Sequence, residues 1–138
     1  MNLPFADASF DAVTMFDVLE HIPNDRQAIA EALRVLNPNG FLLISTPHAE
    51  TWRFPYYSFL KFICPSEADV MGEWGHVRRG YTLESLKALV NSSCQNYATF
   101  INPVTVFCHD VAFSQLPLLV RYAICCLLSP ITWLGYFL

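Results

Sequence analysis

Three side chains that can bind a proton or a cation follow directly on an apolar run near the start of the chain. The segment FDVLEHIP carries Asp17, Glu20 and His21 within five positions. If this segment is helical, the spacings i, i+3 and i+4 place the three groups on one face. Two carboxylates and an imidazole on one face predict a divalent-cation site, or a general base in the form of His21. The alternative is structural, with Glu20 and His21 capping the next helix and bonding to backbone groups.

A second polar cluster lies in the segment GHVRRGYT, and its members are His76, Arg78, Arg79 and Tyr81. One interpretation closes this segment over a small-molecule substrate, with an arginine pairing an acidic group. The other is a solvated turn that precedes the helix beginning at Thr82. His48 follows the apolar run FLLIST and raises similar alternatives, a ligand-facing side chain or a loop histidine without such a role.

The elements that position these residues are predicted from hydrophobic period and turn signals. The run FDAVTMF (10–16) predicts a strand buried on both faces. A helical apolar period follows over 26–36, with Asn24 or Asp25 as its N-cap. The tetrapeptide NPNG is expected to stop that helix in a turn that tolerates positive φ, before a second strand at 41–46.

The order strand, helix, strand predicts a parallel βαβ crossover and therefore an α/β fold. In open α/β sheets, ligands bind in the crevice outside the carboxyl ends of the strands. Residues 16–21 leave the first strand at that end. The polar cluster is thus expected to face a ligand crevice.

The remainder of the chain is predicted less regularly. Residues 48–81, with the aromatic-rich block WRFPYYSFLKFICP, are interpreted as a lid or insertion that carries a short helix. Thr82 is expected to cap the helix TLESLKALVNSS through an imperfect capping box with Ser85. Residues 97–108 read as a strand broken by Pro103. We expect residues 1–115 to form one domain and 116–138 to form a separate hydrophobic C-terminal segment.

The segment 116–138 is apolar except for Arg121, and Pro130 interrupts it. From Tyr122 to the end there is no charge, and the length of that run is near the lower limit for a bilayer span. Two interpretations stay open, a helical membrane contact through 116–138 or a hydrophobic hairpin packed on the domain.

Composition narrows the class of protein. The chain has 138 residues, is 54% hydrophobic and 14% charged, and carries a formal net charge of −4. This charge argues against a nucleic-acid partner, because phosphate binding needs a basic surface. Five cysteines without a CxxC spacing predict buried free thiols in a reducing compartment. The predicted location is therefore cytoplasmic, and contact of residues 116–138 with a membrane would be an additional feature.

Residues 3–47 resemble the second half of class I S-adenosylmethionine-dependent methyltransferases. The resemblance rests on LPF, an acidic turn, SFD with an apolar strand, then EH, a helix, a Pro-Gly-type turn and another strand. It is closest to the small-molecule group that includes ubiquinone-biosynthesis O-methyltransferases, and it extends more loosely through GHVRRGYTLESL. It implies a partial Rossmann-like sheet, S-adenosylmethionine as methyl donor and a small acceptor. The aromatic block and the apolar tail favour a lipophilic acceptor.

The resemblance also implies roles for individual residues. Leu3, Phe16 and Asp17 would contact the methyl donor, and His21 and His76 would be catalytic. In the quinone O-methyltransferases an E-x-x-E-H pattern is linked to magnesium. The corresponding residues here are Asp17, Glu20 and His21, so Mg²⁺ would be a further cofactor, with Asp17 replacing the first glutamate.

No Gly-x-Gly occurs among the five glycines of the chain. The family's glycine-rich loop and its final strand are therefore expected outside these residues, which predicts a fragment that is inactive alone. Such a half sheet would leave Ile29, Leu33 and Leu43 partly uncovered. The alternative function is a non-catalytic module that keeps the methyltransferase scaffold and associates with a membrane or a partner.

Overall fold

The computed structural model describes residues 2–91, 95–99 and 102–134. The chain divides into two compact units. Unit 1 comprises residues 1–52 and 74–95, and unit 2 comprises residues 53–73 and 96–138. The boundary predicted near residue 115 does not coincide with this division and stays a prediction.

A parallel βαβ crossover forms the centre of unit 1. Strand β1 (Phe10–Phe16) leads through a short 3-10 helix (Leu19–His21) to helix α1 (Asp25–Val35), which is followed by β2 (Leu36–Ser45). The two strands are parallel, with Ala12 opposite Phe41 and Phe16 opposite Ser45. The predicted α/β class and the parallel crossover are confirmed.

The passage from α1 into β2 differs from the prediction. Leu36 is already extended after the helix, and neither Asn39 nor Gly40 has a positive φ. The tetrapeptide NPNG instead forms an irregularity in β2, since the register slips between the pairs at Phe10 and Ala12. A Cβ on Gly40 would lie 2.8 Å from the carbonyl oxygen of Asp11, so the close approach of the two strands requires glycine here.

One face of the two-stranded sheet carries the core of unit 1. Helices α1 and α3 (Leu83–Val90) pack over it, and its buried members are Met15, Leu19, Ala28, Ile29, Ala32 and Tyr81. On the opposite face Phe16, Phe41 and Leu43 are exposed. The prediction of a strand buried on both faces is therefore wrong for the part of the chain that the structure describes. Leu33 and Leu43 are partly uncovered as expected, whereas Ile29 is buried by helix packing.

Both helices of unit 1 begin at side-chain caps. The Asn24 side chain accepts a hydrogen bond from the backbone N–H of Gln27, which confirms Asn24 as the N-cap of α1. Thr82 and Ser85 exchange the two hydrogen bonds of a complete capping box at α3. The serine hydroxyl thus replaces the usual carboxylate or amide, and the box is better formed than predicted.

Unit 2 is helical where a strand was predicted. Helix α4 (Pro103–Ala112) begins at Asn102, whose side chain accepts from the backbone N–H groups of Val104 and Thr105. Pro103 is the first helical residue, where its missing N–H costs nothing. The predicted strand over 97–108 is wrong because Asn102-Pro103 starts a helix rather than breaking a strand. Residues 100 and 101 lie outside the described residues.

The segment 53–73 packs within unit 2 around a buried carboxylate. Asp110 on α4 is fully buried and accepts a 2.8 Å hydrogen bond from the backbone N–H of Tyr57. The Cys64 thiol donates to the backbone carbonyl of Asp110, and burial raises the pKa of that thiol. Helix α2 (Glu67–Trp74) closes this segment and contributes the buried Val70.

Helix α5 (Leu118–Leu134) contains Pro130 and exposes much of its apolar surface. Leu119 is 82% exposed and Leu127 is 77% exposed. Within the described ranges, no helix has both the length and the apolar character that crossing a bilayer requires. The last four residues of the predicted segment 116–138 lie outside those ranges.

Four cysteines are free thiols as predicted, namely Cys64, Cys108, Cys125 and Cys126. Only Cys64 is buried, so the predicted burial is wrong for the exposed Cys126 and only partial for Cys108 and Cys125. The fifth, Cys94, lies outside the described residues.

Candidate functional site

The exit of β1 turns sharply at Asp17. Its φ of +50° is in the left-handed region, where a short polar side chain is tolerated. The Asp17 N–H donates to the carbonyl of Ser45 at 2.9 Å, and its carboxylate accepts from the Ser45 hydroxyl at 3.2 Å. The helical face predicted for Asp17, Glu20 and His21 is therefore wrong, because the 3-10 helix starts only at Leu19.

This turn directs the next side chains in different ways. Leu19 and Glu20 are buried, at 0% and 1% exposure, whereas His21 is exposed. The Glu20 carboxylate accepts a 3.4 Å hydrogen bond from the Thr46 hydroxyl. The Nδ1 atom of His21 lies 3.3 Å from the carbonyl oxygen of Gly75, which accepts a hydrogen bond from the tautomer that carries its proton on Nδ1.

His76 reaches the same place from the loop that follows α2. The backbone N–H of Val77 donates to the carbonyl of Glu20 at 2.9 Å, which fastens that loop to the 3-10 helix. The rings of His21 and His76 then meet edge to face, with centroids 4.6 Å apart. Glu20, His21 and His76 each place one donor atom within 4.8 Å of the other two. The structure thus assembles the two predicted histidines with Glu20, and Asp17 is not in that group.

The environment of His76 keeps its ring neutral. Burial lowers the pKa of His76, and a charge on His21 lowers it further, against the opposing influence of Glu20 and Asp17. Trp52 and Trp74 flank the ring, with centroid distances of 5.9 and 5.6 Å. Its Nδ1 atom is buried and has no hydrogen-bond partner among the described residues. A neutral imidazole has one unprotonated nitrogen, which can accept a proton or coordinate a cation.

Arg78 binds the backbone of the segment that carries Glu20 and His21 instead of extending into solvent. Its guanidinium donates to the carbonyls of Leu19, Ile22 and Pro23 at 2.6, 2.7 and 3.1 Å, and to the Tyr81 hydroxyl at 2.8 Å. Its Nη1 atom also lies 3.6 Å from the Asp25 carboxylate, so Arg78 forms an ion pair with an acidic group of this chain. The contacts of Arg78 with backbone carbonyls were not predicted, because a target made of backbone carbonyls leaves no signal in a sequence.

Gly80 allows the same loop to approach the end of β2. Its φ is +129°, and a Cβ there would fall 1.8 Å from the carbonyl oxygen of Pro47. Tyr81 consequently donates its N–H to that oxygen at 3.0 Å, and Tyr81 forms a parallel bridge with His48. His48 lies near the carboxyl end of β2 as predicted, outside the group formed by Glu20 and the two other histidines.

The three residues predicted to contact the methyl donor do not lie together. Phe16 is 60% exposed at the carboxyl end of β1, next to Asp17. Leu3 is held by the C-terminal half of α1, because its N–H donates to Glu31 and its carbonyl accepts from Arg34. That half of the helix lies toward the amino ends of the strands, since the backbone N–H of Ala8, just before β1, donates to the backbone carbonyl of Arg34.

Part of the chain is similar to known methyltransferases. Residues 1–44 match the family model described as a methyltransferase domain. A probable S-adenosylmethionine-dependent methyltransferase of Mycolicibacterium smegmatis is 46% identical over 51 residues, which cover 37% of this chain and 20% of that protein. Demethylmenaquinone methyltransferases of Paenarthrobacter aurescens and Renibacterium salmoninarum are 43% and 31% identical, covering 49% and 72% of this chain.

The chain spans only part of these curated relatives. It covers 28% of the Paenarthrobacter protein and 34% of the Renibacterium protein. The match with the family model contains β1, α1 and most of β2, together with Glu20 and His21. His76 lies outside that matched segment.

Proposed function

We propose, on the premise that residues 1–44 are a segment of a class I methyltransferase domain, that this protein transfers a methyl group from S-adenosylmethionine to a small molecule. The observation that carries the proposal is the position of Glu20, His21 and His76. They lie where β1 leaves the parallel sheet, which is the edge at which open α/β sheets bind ligands. S-adenosylmethionine supplies the sulfonium methyl group when it is bound.

His76 and His21 are proposed to prepare the acceptor. Methyl transfer to oxygen is faster when the hydroxyl proton is lost, and a neutral imidazole can accept it. The lowered pKa of His76 keeps that ring in its base form at neutral pH. The Gly75 carbonyl orients the His21 ring, which serves the positioning on which in-line transfer depends.

The residues of this chain support contact with one side of the methyl donor. Phe16, whose ring is exposed, and Asp17 follow one another at the carboxyl end of β1, which supports the roles predicted for them. The position of Leu3, by the C-terminal half of α1, gives no support to a third contact. Since the sequence contains no Gly-x-Gly, the family's glycine-rich contact to the donor is not among its 138 residues.

The predicted magnesium set does not fit the geometry. Asp17 lies outside the group of close donors, and His76 takes its place. Two imidazole nitrogens and one carboxylate are a poor match for Mg²⁺, which prefers six oxygen ligands. No step of the proposed transfer is therefore assigned to magnesium.

Labelled methyl transfer tests the proposal with protein made from its complete reading frame. We expect radioactivity from S-[methyl-³H]adenosylmethionine to enter a small-molecule fraction. His76→Ala and His21→Ala should each reduce the rate by about 10²-fold or more, the range for a general base. His48→Ala is the matched control and should leave the rate nearly unchanged. Absence of both binding and transfer of the labelled donor would refute the proposal.

A non-catalytic, membrane-associated module is the second candidate, and the apolar surface of unit 2 favours it. Phe62 is 94% exposed and Leu119 is 82% exposed, although both are large apolar side chains. No acidic residue follows Asp110 in the sequence, while Arg121 supplies a positive charge near this surface. Such a surface suits the lipid interface of a cytoplasmic membrane leaflet. A lipophilic acceptor presented by that leaflet would reconcile the two candidates.

Flotation with phosphatidylglycerol vesicles distinguishes this candidate. Membrane association predicts that the protein rises with the vesicles and that Leu119→Glu abolishes this movement. Flotation without any methyl transfer would favour the module, and transfer without flotation would favour a purely soluble enzyme.

Free thiols at four positions support the predicted cytoplasmic location, because they persist in a reducing compartment.

A further inference from the structure

We infer that Glu20, His21 and His76 form a binding site for a divalent cation of the zinc and cobalt type. This cation differs from the magnesium that the family resemblance implies, and the ligand set differs as well. The inference stands on the geometry of unit 1 and does not require that the protein transfer methyl groups.

The distances suit a small cation. The three donor atoms lie within 4.8 Å of one another. Zinc bonds of about 2.0–2.2 Å at a tetrahedral angle place neighbouring ligand atoms roughly 3.4 Å apart. Small side-chain rotations therefore suffice to bring the three donors to bonding distance, and the backbone need not move.

The chemistry of the donors also favours such a cation. Two imidazole nitrogens with one carboxylate oxygen are a ligand set typical of zinc. With a proton on Nδ1 of His21, facing the Gly75 carbonyl at 3.3 Å, Nε2 would be the nitrogen that coordinates the cation. A backbone carbonyl bonded to the far nitrogen is the usual support of a metal-binding histidine. Three protein ligands leave a fourth position for water or for an acceptor oxygen.

Two groups at this site have fewer hydrogen-bond partners than their burial calls for. The Glu20 carboxylate is 1% exposed, yet it accepts only a long hydrogen bond from Thr46, and no ion pair between described residues includes it. The buried Nδ1 of His76 has no hydrogen-bond partner among those residues. A buried carboxylate is costly unless a cation or several hydrogen bonds compensate it. A bound cation would compensate the charge of the Glu20 carboxylate and would coordinate the His76 ring.

Metal titration of the chelator-treated protein tests the inference. We expect one equivalent of Co²⁺ to bind, with the visible absorption of four-coordinate cobalt, and one equivalent of Zn²⁺ to displace it. Glu20→Gln, His21→Ala and His76→Ala should each weaken binding by more than about tenfold, since even supporting residues of metal sites cost 10–100-fold. Mg²⁺ should not compete.

Two variants in the same unit serve as matched controls. His48→Ala removes a histidine outside the group, and Asp17→Asn removes the carboxylate that the family pattern would use. Both should retain full affinity. Urea unfolding of every variant separates loss of the cation from loss of the fold.

Several outcomes would overturn the inference. These are no saturable binding by a folded protein, equal weakening in His48→Ala, and weakening in Asp17→Asn as large as in Glu20→Gln. A thiolate-to-cobalt charge-transfer band would assign the metal to cysteines and would also overturn it. Cation binding without methyl transfer would leave this inference intact while refuting the proposed function.

Discussion

Replacing Arg78 by alanine should destabilise unit 1 more than its location in a loop suggests. The guanidinium contacts four hydrogen-bond acceptors, three of them backbone carbonyls of the segment 19–23, with two hydrogens of Nη1 shared among three acceptors, and its side chain is 25% exposed. A hydrogen bond from a charged group contributes roughly 1.5–3 kcal/mol, and the contributions are not additive at one side chain. Allowing for this and for partial solvent access, we expect the free energy of unfolding to fall by about 2–4 kcal/mol.

Urea denaturation followed by circular dichroism measures this loss. With a denaturant dependence of about 2 kcal/mol per molar urea, the midpoint should fall by about 1–2 M. Lys87, an exposed cation on α3 of the same unit, provides the matched control, and Lys87→Ala should change the free energy by less than about 0.5 kcal/mol. Arg78→Lys should be intermediate, because a single ammonium group cannot reach all four acceptors. If Arg78→Ala costs no more than Lys87→Ala, the reasoning from these hydrogen bonds is refuted.

Further predictions concern backbone strain, helix capping, protonation and thiol reactivity. Gly80→Ala should lower the free energy of unfolding by about 2 kcal/mol or more in urea titrations, because φ is +129° and the new Cβ would collide with backbone. Asn102→Ala should cost about 1 kcal/mol through loss of the α4 cap, and an unchanged midpoint would contradict that capping role. Stability should fall as the pH drops below 6.5, because the pKa of His76 is lowered in the folded state and the unfolded ring binds a proton first; His76→Gln should reduce this slope. Ellman's reagent should modify the exposed Cys126 before the buried Cys64, whose pKa is raised, and equal rates would contradict the packing of unit 2.

Local patterns predicted the parallel crossover well. The strand at 10–16 and the helix from Asp25 depend on side-chain period and on one cap, and both are properties of neighbouring residues. Asn102-Pro103 carried an equally local signal for a helix start. Its interpretation as a broken strand gave the β-prone residues around it too much weight.

The candidate site was only half predictable. Glu20 and His21 were found because they follow an apolar strand directly. The position of Asp17 outside this cluster was not predicted. Its positive φ accompanies bonds to Ser45, which is distant in sequence. The approach of His76 depends on tertiary contacts such as the bond between the Val77 N–H and Glu20. No spacing rule brings such distant residues together.

His21 and His76 are separated by 54 residues, so the cluster exists only in the native chain. An unfolded chain holds these two imidazoles apart on average, so any ion that needs both binds only after folding. The concentration of that ion then adds to the free energy of unfolding, by about 2.7 kcal/mol at one hundred times its dissociation constant. Samples of identical sequence would melt at different temperatures if their buffers differed in trace metal, and a chelator would bring them to one value.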